Sequence, residues 1–219
     1  VAHIKDDGQQ NFNAAQKPLT ICFARGVRIR GVDGDVPVED LVVGDLVATL
    51  HHGVQTLRWI GVKRLSNVDL GLHPHLRPIL INAGALGQGL PSRDLLVSPQ
   101  HRMMVESAAS QVLFGQDCVL MAAKHLVNDQ SVLVARDQAE VTYYHLLFDH
   151  HEVIFANGAP SESLHPGDEA LSALDLTARG EVLELFPELK NLTTTSRRTA
   201  LPVLRAFEAR VLCDFGAEV

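Results

Sequence analysis

Chemistry in this chain can start at Cys22. In the run Thr20-Ile21-Cys22-Phe23-Ala24-Arg25-Gly26-Val27-Arg28-Ile29 the cysteine has the Ile21 carbonyl directly behind it. Its sulfur can therefore reach the amide joining Ile21 to Cys22 through a five-membered ring, which permits an N-to-S acyl shift. Any Xaa-Cys bond has that geometry, so other residues must make the shift fast. The thiolate is the competent nucleophile, and it needs a polar, partly exposed setting, because apolar burial silences it. Taken alone, Cys22 reads sooner as a small buried hydrophobe, and only further motifs overturn that reading. A second group is Ser98-Pro99-Gln100-His101, a hydroxyl and an imidazole three apart after the apolar run Leu95-Leu96-Val97. Such a pair needs a bend to converge, and Pro99 offers one.

Other chemistries find less support. The 11 histidines include the clusters His51-His52, His73-Pro74-His75 and His150-His151. None has zinc-ligand spacing, and adjacent histidines on a strand point to opposite faces, so structural or surface roles are expected and no metal. Gly84, Gly87 and Gly89 do not follow a phosphate-loop pattern, no Gly-x-Ser-x-Gly elbow is present, and no cofactor is expected.

Length and composition bound the rest. The 219 residues suit one domain, or one domain with a small appendage, and can bury a real core. A formal net charge of -7 without a dense Lys/Arg block argues against nucleic acid or an anionic membrane as partner. No stretch approaches the ~20 apolar residues of a membrane helix, and the first residues, with Lys5, Asp6, Asp7 and Gln9, do not read as a signal peptide. Cys22, Cys118 and Cys213 are too few for a disulfide framework and leave the compartment open.

The elements that must position Cys22 are mostly strands. Residues 1–20 read as a loop or arm. A hairpin follows with its turn at Asp33-Gly34-Asp35, then a strand over Val54 to Ile60 containing Trp59, and a buried strand at Leu95–Val97. Val141 to Asp149 is the strongest strand and His151 to Gly158 the next, together a plausible terminal hairpin. Leu41, Val42 and Val47 are echoed by Leu126, Val127 and Val132 at an offset of 85 residues. That echo suggests two β lobes related by a pseudo-twofold axis. Beyond Pro166-Gly167 the period becomes helical: one helix capped by Asp175 and stopped at Pro187, and another opened by Pro202, with Leu204, Phe207 and Val211 on one face.

Three features in order, Cys22 at a strand start with trailing Gly26, Ser98-x-x-His101 after an apolar strand, and the late His151-x-x-x-x-Ala156-Asn157-Gly158 strand, resemble the Hedgehog/intein (Hint) autoprocessing domains, particularly bacterial ones outside true inteins. The resemblance implies a mostly β, horseshoe-like pseudo-twofold fold over residues 22–165, an upstream flank at 1–21 and a helical tail at 166–219. It implies that Cys22 attacks the Ile21 carbonyl to form a thioester, and that His101 gives a proton to the departing α-amine while Ser98 hydrogen-bonds near the amide nitrogen. Relatives place an aspartate on the penultimate strand to steer the thiol proton; here that slot holds His145, or Asp149 in a shifted register. The substrate would be the chain's own upstream polypeptide, and water or an external nucleophile would resolve the thioester. Inteins end in His-Asn and then a nucleophile, whereas Asn157 lies inside this chain, so N-terminal cleavage without splicing is expected. The tail lacks a long apolar stripe, and sterol transfer is not expected. A Hint-fold module that has lost its chemistry and serves as a structural or interaction domain is the alternative, and a trans-acting cysteine hydrolase a third reading.

Overall fold

The computed structural model describes residues 21–164 and 199–215. Two six-stranded antiparallel sheets and a two-stranded one hold the core between them. In chain order the strands are β1 (Phe23–Ala24), β2 (Arg28–Arg30), β3 (Asp35–Pro37), β4 (Leu46–Ala48), β5 (Val54–Thr56), β6 (Trp59–Leu65), β7 (Ile79–Ile81), β8 (Leu95–Val97), β9 (Arg102–Glu106), β10 (Cys118–Ala122), β11 (Val132–Val134), β12 (Val141–Leu147), β13 (Val153–Ala156) and β14 (Ala159–Glu162). The described helices are α1 (Asn67–Leu72), α2 (Ala108–Phe114), α3 (Ala123–Leu126) and α4 (Ala206–Asp214). The first sheet runs β11-β7-β8-β1-β12-β6 and the second β10-β9-β14-β13-β2-β3, with β4-β5 apart.

The second sheet carries the pseudo-twofold. Hairpin β2–β3 closes one end and hairpin β9–β10 the other, each preceded in the chain by a short strand, β1 or β8, of the first sheet. Each is followed by a short helical turn, at Val38–Asp40 and in α3. The echoed Leu41 and Leu126 both end those turns, and Val47 and Val132 lie at the start of the next strands.

Strand β1 lies inside the first sheet, between β8 and β12, with only two residues of its own. A ladder this short supplies a few hydrogen bonds at about 1 kcal/mol each. Burial does at least as much: Ile21, Phe23 and Ala24 are buried, and a fully buried large apolar side chain is worth about 1.5–3 kcal/mol. The strand that Cys22 immediately precedes is thus clamped from both sides and from within.

Three expectations from sequence are corrected. Strands β12 and β13 are not partners: β12 pairs with β1 and β6, whereas β13 pairs with β14 and β2. The real hairpin is β13–β14, and Asn157-Gly158 is its two-residue turn, with φ of 47° and 82°, the pair of positive values that a type I′ turn requires. The strand expected over Val54 to Ile60 is split at Leu57-Arg58, because β5 pairs with β4 and β6 with β12. The last helix begins at Ala206, after Pro202 to Leu204 run extended beside Leu120. It buries Ala209 and Leu212 and leaves Phe207 and Val211 exposed. The helix expected from Asp175 to Pro187 lies outside the described residues, as do residues 1–20.

Asn157 is committed to structure. Its Oδ1 accepts from the Arg28 backbone N–H at 2.8 Å and its Nδ2 donates to the Asp94 carbonyl at 2.9 Å. Asn157→Ala removes both bonds and the residue type that tolerates a left-handed turn, so it should cost about 2–4 kcal/mol. A urea midpoint checks this.

Candidate active site

Register brings the site together. Phe23 pairs with Tyr144 on β12 and with Val97 on β8. One residue earlier, Cys22 therefore lies across from His145 on one side and Ser98 on the other. In a sheet, laterally opposite residues share a face, so Ser98, Cys22 and His145 form one row.

Each atom of the Ile21-Cys22 junction has a partner. The His145 Nδ1–H donates to the Ile21 carbonyl at 2.9 Å. Because that carbonyl can only accept, Nδ1 carries the proton and Nε2 of neutral His145 is bare. The Cys22 N–H, the nitrogen of the same amide, donates to Ser98 Oγ at 3.1 Å, while the Ser98 N–H donates to the Cys22 carbonyl at 3.0 Å. The Cys22 Sγ sits 3.3 Å from Nδ1 and 3.4 Å from Nε2 of His145. A sulfur so nearly equidistant from both nitrogens cannot lie in the ring plane without striking Cε1, so it rests over the imidazole face.

His101 is carried to the row by a turn. Its N–H donates to the Ser98 carbonyl at 3.0 Å, closing a β-turn with Pro99 at the position where its fixed φ is favoured. Its ring is fully buried, edge-on to Phe23 with centroids 4.4 Å apart. Neither ring nitrogen has a hydrogen-bond partner among the described residues. An unpaired buried polar group costs about 1–3 kcal/mol, a cost often carried where a group has chemistry to do.

The electrostatics favour neutral forms throughout. Burial pushes the Cys22 thiol far up, and a hydrogen bond with the Ser98 side chain opposes it. Burial lowers His145 to about 4 against a pull from the Ile21 carbonyl. Burial, then Arg102 and His145, lowers His101 to about 3, against a small pull from the Cys22 backbone. Proton transfer from Cys22 to His145 is thus strongly uphill in the resting site. Any attack must be concerted with that transfer or follow entry of water.

These depressed histidines set a stability window. Both bind protons more weakly folded than unfolded, so the unfolded chain takes up more protons as pH falls from about 6.5 towards about 3. Stability is full above that window and is lost through it. Urea midpoints measured from pH 7 to 4 should fall, and fall less in His145→Gln.

Asp149 is not brought to the row. Its carboxylate takes three hydrogen bonds from the Arg58 guanidinium, at 2.7 to 3.0 Å, on a half-exposed surface past the end of β12. Strand β12 stops at Leu147, which leaves His145 as the residue facing Cys22. Tyr143, on the strand expected over Val141 to Asp149, has no local signature that marks it as part of the site. It is buried beside Cys22 in the smaller apolar cluster, and its hydroxyl donates to the Leu76 carbonyl at 3.0 Å. Among the described residues no group of histidine, cysteine or acidic side chains could hold a metal ion, and no helix is long and apolar enough to cross a membrane.

Two pseudo-symmetric β lobes with a strand-head cysteine between a hydroxyl and an imidazole define a self-processing class of domain. The chain belongs to the Hint domain family, which it matches over residues 21–168. No curated protein matches it. Among solved structures it is similar to a bacterial intein-like domain from Clostridium thermocellum, at 15% identity over 66% of this chain and 99% of that one, with a TM-score of 0.41. It is also similar to the MchDnaB-1 intein, at 11% identity over 64% and 98%, TM-score 0.39. The gp41-1 intein is similar at 11% identity over 64% and 97%, TM-score 0.37.

Proposed function

We propose that this domain cuts its own chain between Ile21 and Cys22 through a thioester, without splicing. The Cys22 sulfur attacks the Ile21 carbonyl carbon, and the thiol proton passes through an entering water to the bare Nε2 of His145, the ring staying in place with its Nδ1–H on the Ile21 oxygen. The C=O π electrons move to oxygen, which the Nδ1–H of His145 already holds. The C–N bond then breaks, and the Cys22 amine leaves with the proton first taken from the thiol, which the His145 imidazolium gives back with the neutral His101 ring as the relay, while Ser98 Oγ accepts from the N–H and orients it. Water, or an external thiol or amine, attacks the thioester and regenerates the Cys22 thiol. The observation that carries this reading is the three-point hold on one peptide bond: oxygen by His145, nitrogen by Ser98, and the attacking sulfur between them.

The absence of splicing is supported by Asn157, whose side-chain amide is spent on tying the β13–β14 turn to the Arg28 N–H and the Asp94 carbonyl. A second reading, a Hint-fold module that has lost chemistry, is favoured by the complete burial of the thiol. Hydroxylamine separates the two. A thioester yields an Ile21 hydroxamate and a new amino terminus at Cys22; an inert module yields neither.

A further inference from the structure

Gly61 is an interior residue of β6, where glycine costs about 0.5–1 kcal/mol relative to alanine. Its backbone is ordinary extended strand, so conformation does not demand it. Space does: a Cβ placed there would lie 2.2 Å from Cη2 and 2.7 Å from Cζ3 of Trp59. The indole of Trp59, two residues earlier and on the same face, is laid over the Gly61 backbone and is buried. Gly61 pairs directly with His145, and paired strand residues stand about 4.5–5.5 Å apart at Cα. The row is therefore Ser98, Cys22, His145, Gly61, and the space a fourth side chain would fill belongs to the tryptophan.

His145 needs such a neighbour. With the sulfur over its face, the only hydrogen bond among the described residues that fixes its ring is the one to the Ile21 carbonyl, and a rotation of the ring would lose it. We propose that Trp59 is a positioning residue, its indole seated on Gly61 as the wall that holds the His145 ring between the Ile21 carbonyl and the Cys22 sulfur. This rests on the self-cleavage reading above, and glycine at 61 is the condition for it.

Two measurements test it, and the first does not depend on cleavage. In uncut Cys22→Ala protein, the Cε1–H proton resonance of His145 should carry a ring-current displacement that Trp59→Leu abolishes and Gly61→Ala changes. An unchanged resonance in folded Trp59→Leu overturns the proposal, even if the domain proves inert. In the otherwise unaltered chain, Gly61→Ala and Trp59→Leu should each slow cleavage by about tenfold to a hundredfold, the scale expected of a displaced catalytic group. The double variant should be no slower than the slower single one, and Trp59→Phe should recover part of the rate. Single variants that cleave at the unaltered rate, or effects that multiply in the double variant, overturn the proposal while leaving the cleavage mechanism standing.

Discussion

Cys22→Ala leaves the chain whole under every condition in which the unaltered domain releases its Cys22-to-Val219 fragment. The expected effect is complete loss rather than a slower rate, because no other nucleophile among the described residues is placed to attack. The Ile21-Cys22 bond is enclosed, with Ile21, Cys22 and Ser98 all buried. Ser98, the nearest hydroxyl, has its oxygen against the amide nitrogen, not the carbonyl carbon. Cys22→Ser should retain only slow cleavage, since a hydroxyl ionises far less readily than a thiol. Gel analysis of aged samples checks both, and a Cys22→Ala chain that still cuts at the same bond would place the chemistry elsewhere.

His145→Ala carries the second largest effect. It removes the donor on the Ile21 oxygen and the base beside the sulfur together. Loss of one oxyanion donor costs about 10²–10³-fold, and loss of a positioned base about 10²–10⁴-fold. Because one ring provides both, the losses overlap, and a fall of about 10³-fold or more is expected. His145→Gln keeps an amide N–H that can reach the carbonyl but has no base, so it should fall between the unaltered domain and His145→Ala. Equal rates in the two variants would mean that the donor on the oxygen contributes nothing. In the same series Ser98→Ala should show how much the orientation of the Cys22 N–H adds.

The parts of this site that sequence made legible are those with local signatures. Cys22 heads an alternating run, and Ser98-Pro99-Gln100-His101 carries its own turn in Pro99. Which residue faces Cys22 from β12 is a question of register, which no local pattern answers: His145 and Asp149 share a face by parity, and only the pairing of Phe23 with Tyr144 and the end of the strand at Leu147 separate them. The Asn157-Gly158 turn was present as a dipeptide signal. The strength of β12 and β13 as neighbouring strands masked it, although the residues between them let the chain change sheets. For α4, the apolar residues Phe207 and Val211 suggested the wrong face, because Leu204 belongs to the extended segment paired with Leu120 and not to the helix. The contact of Trp59 with Gly61 could have been suspected from a lone glycine inside a strand, but not the ring laid over it.

The most direct test of the central claim is the intact mass of the unaltered chain against time at neutral pH, with and without dithiothreitol. The account predicts a fragment beginning at Cys22 that appears faster with the thiol, accompanied by the upstream piece ending at Ile21 as acid or thiol adduct. A chain that keeps its full mass with and without the thiol, while remaining folded, would contradict it.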